Sequence, residues 1–406
     1  MSDLFTSNEQ LIRLIEQYGS PLYVYDENML RSRCKEMRNL LPNKNFRVNY
    51  SAKANCNLEL LKIALSEDVD VDAMSSGEIF IEESAGFSSN RIFYVGNNVS
   101  ADEMMYAVKR GIIVSVDSLS QLELFGETNR GGQVAVRFNT GVGAGHHEKV
   151  VTGGKKTKFG VQREYINIVK EIIKKYDLKL IGINQHIGSL ILEEGLYIDG
   201  VKNFLEIASE FTGLKFIDMG GGFGVPYKEG ENRLDLSKLS EKLDRVLTEF
   251  LHNYDNKELI FKVEPGRYLV AESGILLGTV YSVKDNYGVK YVGTDLGFNV
   301  LVRPTMYDSH HEVKVIKRDG IYGEKEEVTI VGNICESGDI IAKHRLLPKI
   351  NEGDIIAVMN AGAYGFSMSS NYNCRLKPAE VLLCSNGEYR LIRRRDTFND
   401  LMRNFE

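Results

Sequence analysis

Residues 214–224 read Leu-Lys-Phe-Ile-Asp-Met-Gly-Gly-Gly-Phe-Gly, a short β-rich run that continues directly into a glycine-rich turn. Similar β-rich runs occur before and after it, and most are separated by stretches in which apolar residues recur with helical spacing. The eight runs are 47–51, 69–74, 91–95, 112–116, 133–138, 179–186, 214–219 and 258–264. Eight strands that alternate with helices predict a (β/α)8 TIM barrel of roughly 250 residues. A doubly wound open sheet is the alternative, since periodicity does not show whether a sheet closes.

The alternation stops after Glu264, and the rest of the chain is β-rich without long helices. The later runs are 276–283, 289–294, 312–317, 327–332, 354–359, 379–384 and 389–393. Asn386-Gly387, between the last two runs, predicts a hairpin. The early run 21–26, which follows a helix expected between Ser7 and Gly19, also has the composition of a strand. We therefore expect the barrel at 28–270 and a C-terminal antiparallel β-barrel or sandwich domain, joined by the N-terminal strand, at 1–27 and 271–406.

Composition narrows the class of protein. The 406 residues carry 50 Lys and Arg against 56 Asp and Glu, a net charge of −6, with no long basic block, so we expect no nucleic-acid or membrane partner. No apolar run approaches the ~20 residues of a spanning helix, and the N-terminus has no signal-peptide pattern. The five cysteines are scattered, without a Cys-x-x-Cys motif. These features indicate a cytoplasmic protein of enzyme size.

Polar groups occur where the predicted barrel strands end, which is where the active site of a parallel barrel forms. They are Lys53, Asp72, Arg137, His186, Gly220–Gly222 and Glu264. Lys53 is either a surface lysine with a buried stem or, in a partly desolvated site, an amine nucleophile. His186 is either a core histidine with satisfied hydrogen bonds or a ligand contact.

The glycine turn and Glu264 also have two interpretations each. The turn 220–224 either needs positive φ angles or binds a phosphate through its backbone amides, and it lacks the spacing of a dinucleotide fold or a P-loop. Glu264 either pairs with Arg267 or holds a protonated ring nitrogen, in which case Arg267 could face a substrate carboxylate. A metal site is not indicated, because His146-His147 and His310-His311 are adjacent pairs and not ligand-spaced clusters.

Ordered motifs span almost the whole chain. They are Tyr50-Ser-Ala-Lys53, His186-Ile-Gly-Ser189, Gly220-Gly-Gly-Phe-Gly224, Glu264-Pro-Gly-Arg267, Cys335-Glu-Ser-Gly-Asp339 and Ala361-Gly-Ala-Tyr364. In this order they resemble the alanine-racemase-like, fold type III, pyridoxal-phosphate decarboxylases, and most closely the diaminopimelate decarboxylase branch. Further stretches are similar to that branch: Arg137-Phe-Asn-Thr-Gly141, Thr152-Gly-Gly154, Lys158-Phe-Gly-Val161, Arg303-Pro-Thr-Met-Tyr307 and 367–373.

The resemblance implies roles for individual residues. Lys53 would hold pyridoxal 5'-phosphate covalently, His186 would stack on its ring, and Glu264 would keep its pyridine nitrogen protonated. The expected cofactor-binding set is Lys53, Asp72, Arg137, His186, Ser189, Gly220, Gly221, Gly222, Glu264, Pro265, Gly266, Arg267 and Tyr364. The expected substrate-binding set is Arg267, Arg303, Tyr307, Glu336 and Tyr364. Lys53, His186 and Cys335 are the expected catalytic residues, with Cys335 over the reacting carbon.

The implied activity is decarboxylation of meso-2,6-diaminopimelate to L-lysine and carbon dioxide by a homodimer with shared active sites. In that dimer the segment around Cys335 and Glu336 would reach the partner's site. Another basic amino acid or carboxynorspermidine is the alternative substrate on the same fold. The Cys335-Glu336 segment argues against an alanine-racemase-like epimerisation, and the β domain argues against a non-enzymatic cofactor-binding protein.

Overall fold

The computed structural model describes residues 6–42, 45–141, 144–145, 154 and 156–406. The chain forms two compact units. The barrel unit contains Arg31–Val225 and Asn232–Leu269, and the β unit contains Met1–Leu30, Pro226–Glu231 and Val270–Glu406.

Eight parallel strands of the barrel unit pair in chain order. They are Phe46–Ser51, Asp70–Ala73, Ile92–Tyr94, Ile113–Val116, Gln133–Asn139, Lys179–Asn184, Phe216–Asp218 and Ile260–Val263. The eighth strand pairs back onto the first, with Lys262 opposite Arg47. The sheet is therefore closed, which confirms the TIM barrel and excludes the open sheet. Short strands at Ala144–Gly145, Val161–Gln162 and Gly188–Ser189 lie outside this ring.

Helices connect most of the barrel strands. They are Leu58–Ser66, Ser76–Ala85, Ala101–Val108, Leu119–Thr128, Ile166–Lys175, Glu194–Ala208 and Leu236–Asn253. Ser75, Ser100 and Ser118 each cap a helix, because each hydroxyl accepts the backbone N–H three residues later at 3.2 Å. Glu27–Arg38 and Arg267–Val270 are helices that contain a boundary between the two units.

The barrel interior changes from apolar to polar along the seventh strand. Phe216 belongs to an apolar cluster, and its ring lies against Gly182, where a Cβ would collide with it. Asp218, two residues later and on the same side of the strand, is fully buried. In the same register, Asn184 of the sixth strand accepts a hydrogen bond from the Ser115 hydroxyl at 2.6 Å. The C-terminal ends of the strands thus surround a polar interior.

The β unit contains one mostly antiparallel sheet. Its strands are Leu22–Asp26, Gly274–Asn286, Val289–Thr294, Val313–Ile316, Lys325–Val331, Ile340–Pro348, Ile355–Val358, Ala379–Leu383 and Tyr389–Arg393. The early strand joins this sheet, as predicted, and Gly387 (φ 86°) turns the predicted hairpin between the last two strands. Two pairings are parallel, including that of Leu22–Asp26 with Ala379–Leu383. The sequence did not predict Ile340–Pro348, because its exposed residues follow one another and His344 (φ 50°) interrupts the alternation.

The N-terminal helix Asn8–Tyr18 packs on the core of the β unit through Leu11, Leu14 and Ile15. The Ser7 hydroxyl accepts the Gln10 N–H at 3.2 Å, and Gly19 ends the helix at φ 81°, as the sequence predicted. Arg303–Tyr307 and Phe398–Met402 are short helices of the same unit. Within the described ranges, no helix is long and apolar enough to cross a membrane.

Candidate active site

The first two strands of the barrel place Lys53 beside a buried carboxyl group. Lys53 lies in the 3-10 turn Ala52–Ala54 directly after the first strand, half-buried, with Nζ 3.9 Å from the sulfur of Met74. Asp72 of the second strand is fully buried and accepts the Ser51 hydroxyl at 2.6 Å. Burial, then the charge of Glu264, raises the pKa of Asp72 well above its ordinary range, while the Lys53 ammonium opposes the shift. An amine and carboxyl groups therefore share this end of the barrel.

Glu264 follows the eighth strand and is 4% exposed. Its Oε1 has no hydrogen-bond partner in the part of the chain that the structure describes. Burial, followed by the charge of Asp218, raises the pKa of Glu264, and Lys53 and Arg137 act against this. Since a buried carboxyl oxygen without a donor is unfavourable, this position is suited to a ligand that brings an N–H group.

The glycine turn is required by close packing. A Cβ at Gly221 would collide with the carbonyl oxygen of Glu264, and a Cβ at Gly220 with that of Gln185. The Gly220 amide donates to Asp218 Oδ1 at 2.9 Å, and the Gly221 amide to His186 Nδ1 at 3.2 Å. Two of the three amides predicted to bind a phosphate therefore already have acceptors within the chain.

His186 and Arg137 complete the polar interior. Burial, then the positive charges of Lys53 and Arg137, holds the pKa of His186 well below its ordinary value, so its imidazole is neutral. Arg137 is 8% exposed and lies over the ring of Phe159, with 4.7 Å from the guanidinium carbon to the ring centroid. Burial lowers the pKa of Arg137, and the charge of Glu264 is the largest effect that opposes this.

Arg267 and Ser189 lie together at the same barrel end. Nη2 of Arg267 donates to the Ser189 hydroxyl at 3.0 Å, and the arginine is 6% exposed. Pro265 is bonded to the first strand, because its carbonyl accepts the Ser51 N–H at 3.2 Å. Gly266 is buried, and its carbonyl accepts the Leu269 N–H. The predicted barrel residues are thus brought together in one unit.

Arg303 of the β unit is buried, with 2% of its surface exposed. Its Nη1 donates to His311 Nε2 at 2.8 Å, and its guanidinium lies over Tyr227, 4.7 Å from the ring centroid. His311 Nδ1 is 2.8 Å from the carbonyl of Met359 and therefore donates to it, which leaves Nε2 as the acceptor for Arg303. Sequence reasoning noted His311 only as a member of the adjacent pair His310-His311 and assigned it no contact with Arg303. Tyr307, half-buried, ends the same short helix.

Cys335 and Glu336 lie in an exposed polar turn of the β unit. Asn373 holds Cys335 at two points, because its amide donates to the sulfur at 3.1 Å and its carbonyl oxygen accepts the Cys335 N–H at 3.1 Å. Tyr372 donates its hydroxyl proton to Glu336 Oε1 at 2.7 Å. Tyr364 is half-buried and has a φ of 57°.

Comparison with known proteins identifies the family. The family described as "Pyridoxal-dependent decarboxylase, pyridoxal binding domain" matches residues 27–271. The chain is 41% identical to the diaminopimelate decarboxylase of Methanothermobacter thermautotrophicus, with 98% of this chain and 95% of that protein covered. The Bacillus subtilis diaminopimelate decarboxylase is 32% identical, with 96% and 92% covered. This chain belongs to the diaminopimelate decarboxylase family.

Solved structures agree with this family. Diaminopimelate decarboxylase from Helicobacter pylori, complexed with L-lysine, superposes with a TM-score of 0.89 at 31% identity, with 97% of this chain and 98% of that chain covered. A lysine/ornithine decarboxylase from Vibrio vulnificus has a TM-score of 0.80 at 22% identity, with 93% and 98% covered, and shows the fold alone.

The cofactor of this decarboxylase is pyridoxal phosphate. The described residues fit it at three points. Glu264 Oε1 is buried without a donor and can accept a ring N–H. The Ser189 hydroxyl and the buried Arg267 guanidinium are hydrogen-bond donors at the same barrel end and suit an anionic phosphate. Lys53 provides a half-buried amine at the same end of the barrel.

In the described ranges, no group of three His, Cys, Asp or Glu side chains could hold a metal ion. The pair His146-His147 and the residues Thr152 and Gly153 lie outside the described residues.

Sequence reasoning missed two interior residues of the decarboxylase barrel, Asp218 and Lys262. The alternation of side chains could have found Lys262, because it places this lysine on the same face as Glu264.

Proposed function

We propose that this protein decarboxylates meso-2,6-diaminopimelate to L-lysine and carbon dioxide with pyridoxal 5'-phosphate as its cofactor. The observation that carries the proposal is the buried Glu264 Oε1, which has no donor among the described residues, at the barrel end that also holds the Lys53 amine. The relatives that match nearly the whole chain are diaminopimelate decarboxylases, and one solved structure of that name holds L-lysine. The reaction is that of a carboxy-lyase in lysine biosynthesis.

Pyridoxal phosphate, when bound, supplies an electron sink for the pair of electrons left when carbon dioxide departs. Glu264 accepts the hydrogen bond of the protonated ring nitrogen, and the low pKa of His186 leaves a neutral imidazole that can pack flat on a ring. Lys53 provides the amine that holds the cofactor covalently. Ser189, whose hydroxyl accepts a hydrogen bond from Arg267, binds the phosphate. The glycine turn contributes backbone amides other than the two that donate to Asp218 and His186.

The remaining cofactor contacts are proposed from position. Asp72 and Arg137 lie in the charged interior around Glu264, and the backbone of Pro265 and Gly266 continues the eighth strand toward the phosphate. Tyr364 contacts the cofactor or the substrate. Substrate carboxylates are held by Arg267, Arg303 and Tyr307.

The Cys335 segment is proposed to complete the active site of a partner chain in a homodimer. Its exposure in a polar turn supports this role, as does the bonding of Asn373 to Cys335, which fixes the direction of the thiol. Cys335 holds the proton for the reacting carbon at its sulfur, and Glu336 receives the distal amine of the substrate. We place the enzyme in the cytoplasm and take 28–270 as the cofactor-binding domain, which the family match at 27–271 supports.

The test is substrate choice by the purified protein loaded with pyridoxal phosphate. We expect carbon dioxide release from meso-diaminopimelate and much slower release from lysine, ornithine and arginine. Carboxynorspermidine is included because it is the other candidate on this fold. Faster release from any of these than from diaminopimelate would overturn the substrate assignment, and epimerisation without carbon dioxide would overturn the reaction class.

A further inference from the structure

Lys262 points into the barrel interior below the proposed cofactor site. It lies opposite Asp218 of the neighbouring strand, and Glu264 follows it by two residues, so the three side chains share one face of the sheet. The Lys262 amine is 4.6 Å from the ring centroid of Phe216 and 5.2 Å from that of Phe93. Burial lowers the pKa of Lys262, and the charges of Asp218, Asp70 and Glu264 oppose this, so the carboxylates around it favour the ammonium form.

Asp218 and Glu264 form a pair of buried carboxyl groups. Asp218 is fully buried and Glu264 is 4% exposed, and the two side chains are within hydrogen-bonding reach of each other. Asp218 Oδ2 and Glu264 Oε1 both have no donor among the residues that the structure describes. Burial raises the pKa of both carboxyls, and their mutual interaction raises that of Glu264 further. Two adjacent carboxyls in such a place are expected to share one proton.

We propose that Asp218 and Lys262 are positioning residues for Glu264: the carboxyl pair stores one proton in the cofactor-free barrel, and the Lys262 ammonium balances the second negative charge that appears when Glu264 gives this proton to the ring nitrogen. The inference rests on the proposed cofactor and deepens its binding site. It assigns to this chain the source of the proton that the ring nitrogen carries.

Charge balance supports this assignment. Without cofactor, the pair with its one proton has a single negative charge, which Lys262 neutralises. With cofactor, the proton moves from the Glu264 carboxyl to the ring nitrogen, and two carboxylates face two cations, the ring N–H and Lys262. Both states are neutral, and in a low-dielectric interior a net charge is costly. No proton then has to enter from solvent for this group.

The inference predicts different results for the two single variants. In Lys262→Met no cation faces the pair, so both carboxyls are protonated before binding and one of the two protons passes to the ring nitrogen, as in wild type. In Asp218→Asn, Glu264 is already ionised beside Lys262, so the ring nitrogen takes its proton from solvent. In the double variant Glu264 stands without Lys262 or Asp218 and stores one proton by itself, as the wild-type pair does. The double variant should therefore behave like wild type.

The experiment measures pyridoxal phosphate binding to the cofactor-free proteins without substrate. Absorbance titrations between about pH 6.5 and 9 give the dissociation constant, and calorimetry in two buffers of different ionisation enthalpy gives the protons exchanged. Asp218→Asn should take up about one proton more than wild type, so its affinity should fall about tenfold more per pH unit, whereas Lys262→Met and the double variant should take up as many protons as wild type. Lys215→Met, which removes an exposed lysine just before the seventh strand, is the control and should match wild type.

The other charged and titratable groups around Asp218, Lys262 and Glu264 are unchanged in all variants. They are Arg47, Lys53, Asp70, Asp72, Arg137, His186 and Tyr197. Circular dichroism of the cofactor-free proteins checks the fold. Equal proton uptake in wild type and Asp218→Asn would overturn the inference, as would an extra proton taken up by the double variant or loss of its binding. Failure of wild type to release carbon dioxide from diaminopimelate would instead count against the proposed function.

Discussion

The backbone amide of Gly221 donates to Nδ1 of His186 at 3.2 Å, so the turn after the seventh strand is tied to the imidazole that follows the sixth. The bond fixes Nδ1 as an acceptor and is available only while the ring is neutral at that nitrogen, in agreement with the lowered pKa of His186. It also brings the turn so close to the Glu264 carbonyl that a side chain at residue 221 has no room. The imidazole of His186, the glycine turn and the backbone at Glu264 are thus held by one packing arrangement.

Gly221→Ala tests this arrangement. The added Cβ would collide with backbone, which cannot move as a flexible side chain could, so we expect the free energy of unfolding to fall by about 1–3 kcal/mol. Urea denaturation of the cofactor-free protein measures it. Gly195→Ala is the matched control, because nothing lies within 4 Å of its added Cβ in the helix Glu194–Ala208, and it should be neutral or slightly stabilising. Equal stability of the two variants would contradict the close packing.

Lys53 is tested by chemistry at its amine. Borohydride reduction of the loaded enzyme should attach the cofactor to Lys53, which peptide mass spectrometry would locate. Lys53→Ala should lose turnover by several orders of magnitude, because no other group replaces a covalent amine. Lys62→Ala, at an exposed helical lysine, serves as control and should retain activity. Attachment at a different lysine would show the assignment to be wrong.

The sequence predicted the barrel and the ends of its strands well, because alternating apolar runs and helical spacing report on burial directly. It identified Lys53, His186 and Glu264 as polar groups at those ends. It could not predict that the Gly221 amide donates to His186, since this histidine, 35 residues earlier in the chain, reaches the turn only through the pairing of the sixth and seventh strands. The same holds for His311, whose contact with Arg303 depends on how the β unit packs.

The buried carboxyl group of Glu82 should make the free energy of unfolding depend on pH. It is fully buried on the helix Ser76–Ala85, neither carboxyl oxygen has a hydrogen-bond partner among the described residues, and burial raises its pKa from 4.5 to about 9. In the unfolded chain the group ionises near 4.5, so the unfolded state loses its proton first and the free energy of unfolding falls as the pH rises from about 4.5 toward 9. Glu82→Gln should remove this contribution, by at most about 1.4 kcal/mol per pH unit.

Thermal and urea unfolding of the cofactor-free protein at pH values between about 5 and 8 measure this effect. The stability gained by Glu82→Gln over wild type should increase with pH. Glu164→Gln is the control, because Glu164 is an exposed glutamate outside this helix, and the stability difference between this variant and wild type should not increase with pH in this way. A constant difference for Glu82→Gln as well would mean that the carboxyl ionises at its ordinary pKa.

Arg303→Lys tests the proposed substrate contact. The guanidinium is buried, fixed by His311 and stacked on Tyr227, so its planar set of N–H groups has a defined direction that an ammonium cannot reproduce. We expect kcat/KM for meso-diaminopimelate to fall roughly 10²-fold or more. Arg318→Lys changes an exposed arginine of the same unit and should leave kcat/KM near wild type. An unchanged kcat/KM for Arg303→Lys would show that Arg303 contributes only to packing and does not bind the substrate.

The proposed sharing of active sites predicts recovery of activity in mixed dimers. Lys53→Ala lacks the amine of the barrel, and Cys335→Ala lacks the thiol that the exposed turn would present to the partner. If each site combines Lys53 of one chain with Cys335 of the other, a mixed dimer has one site with both changes and one site with neither. Random exchange makes half of the dimers mixed, so activity should rise toward about a quarter of wild type. In the control, Lys53→Ala is mixed with Cys374→Ala in place of Cys335→Ala. Cys374 is also an exposed cysteine of the β unit, and Cys374→Ala should be active before mixing. If subunits exchange, as mass spectrometry of tagged chains would show, and activity still does not recover, each site is built from a single chain.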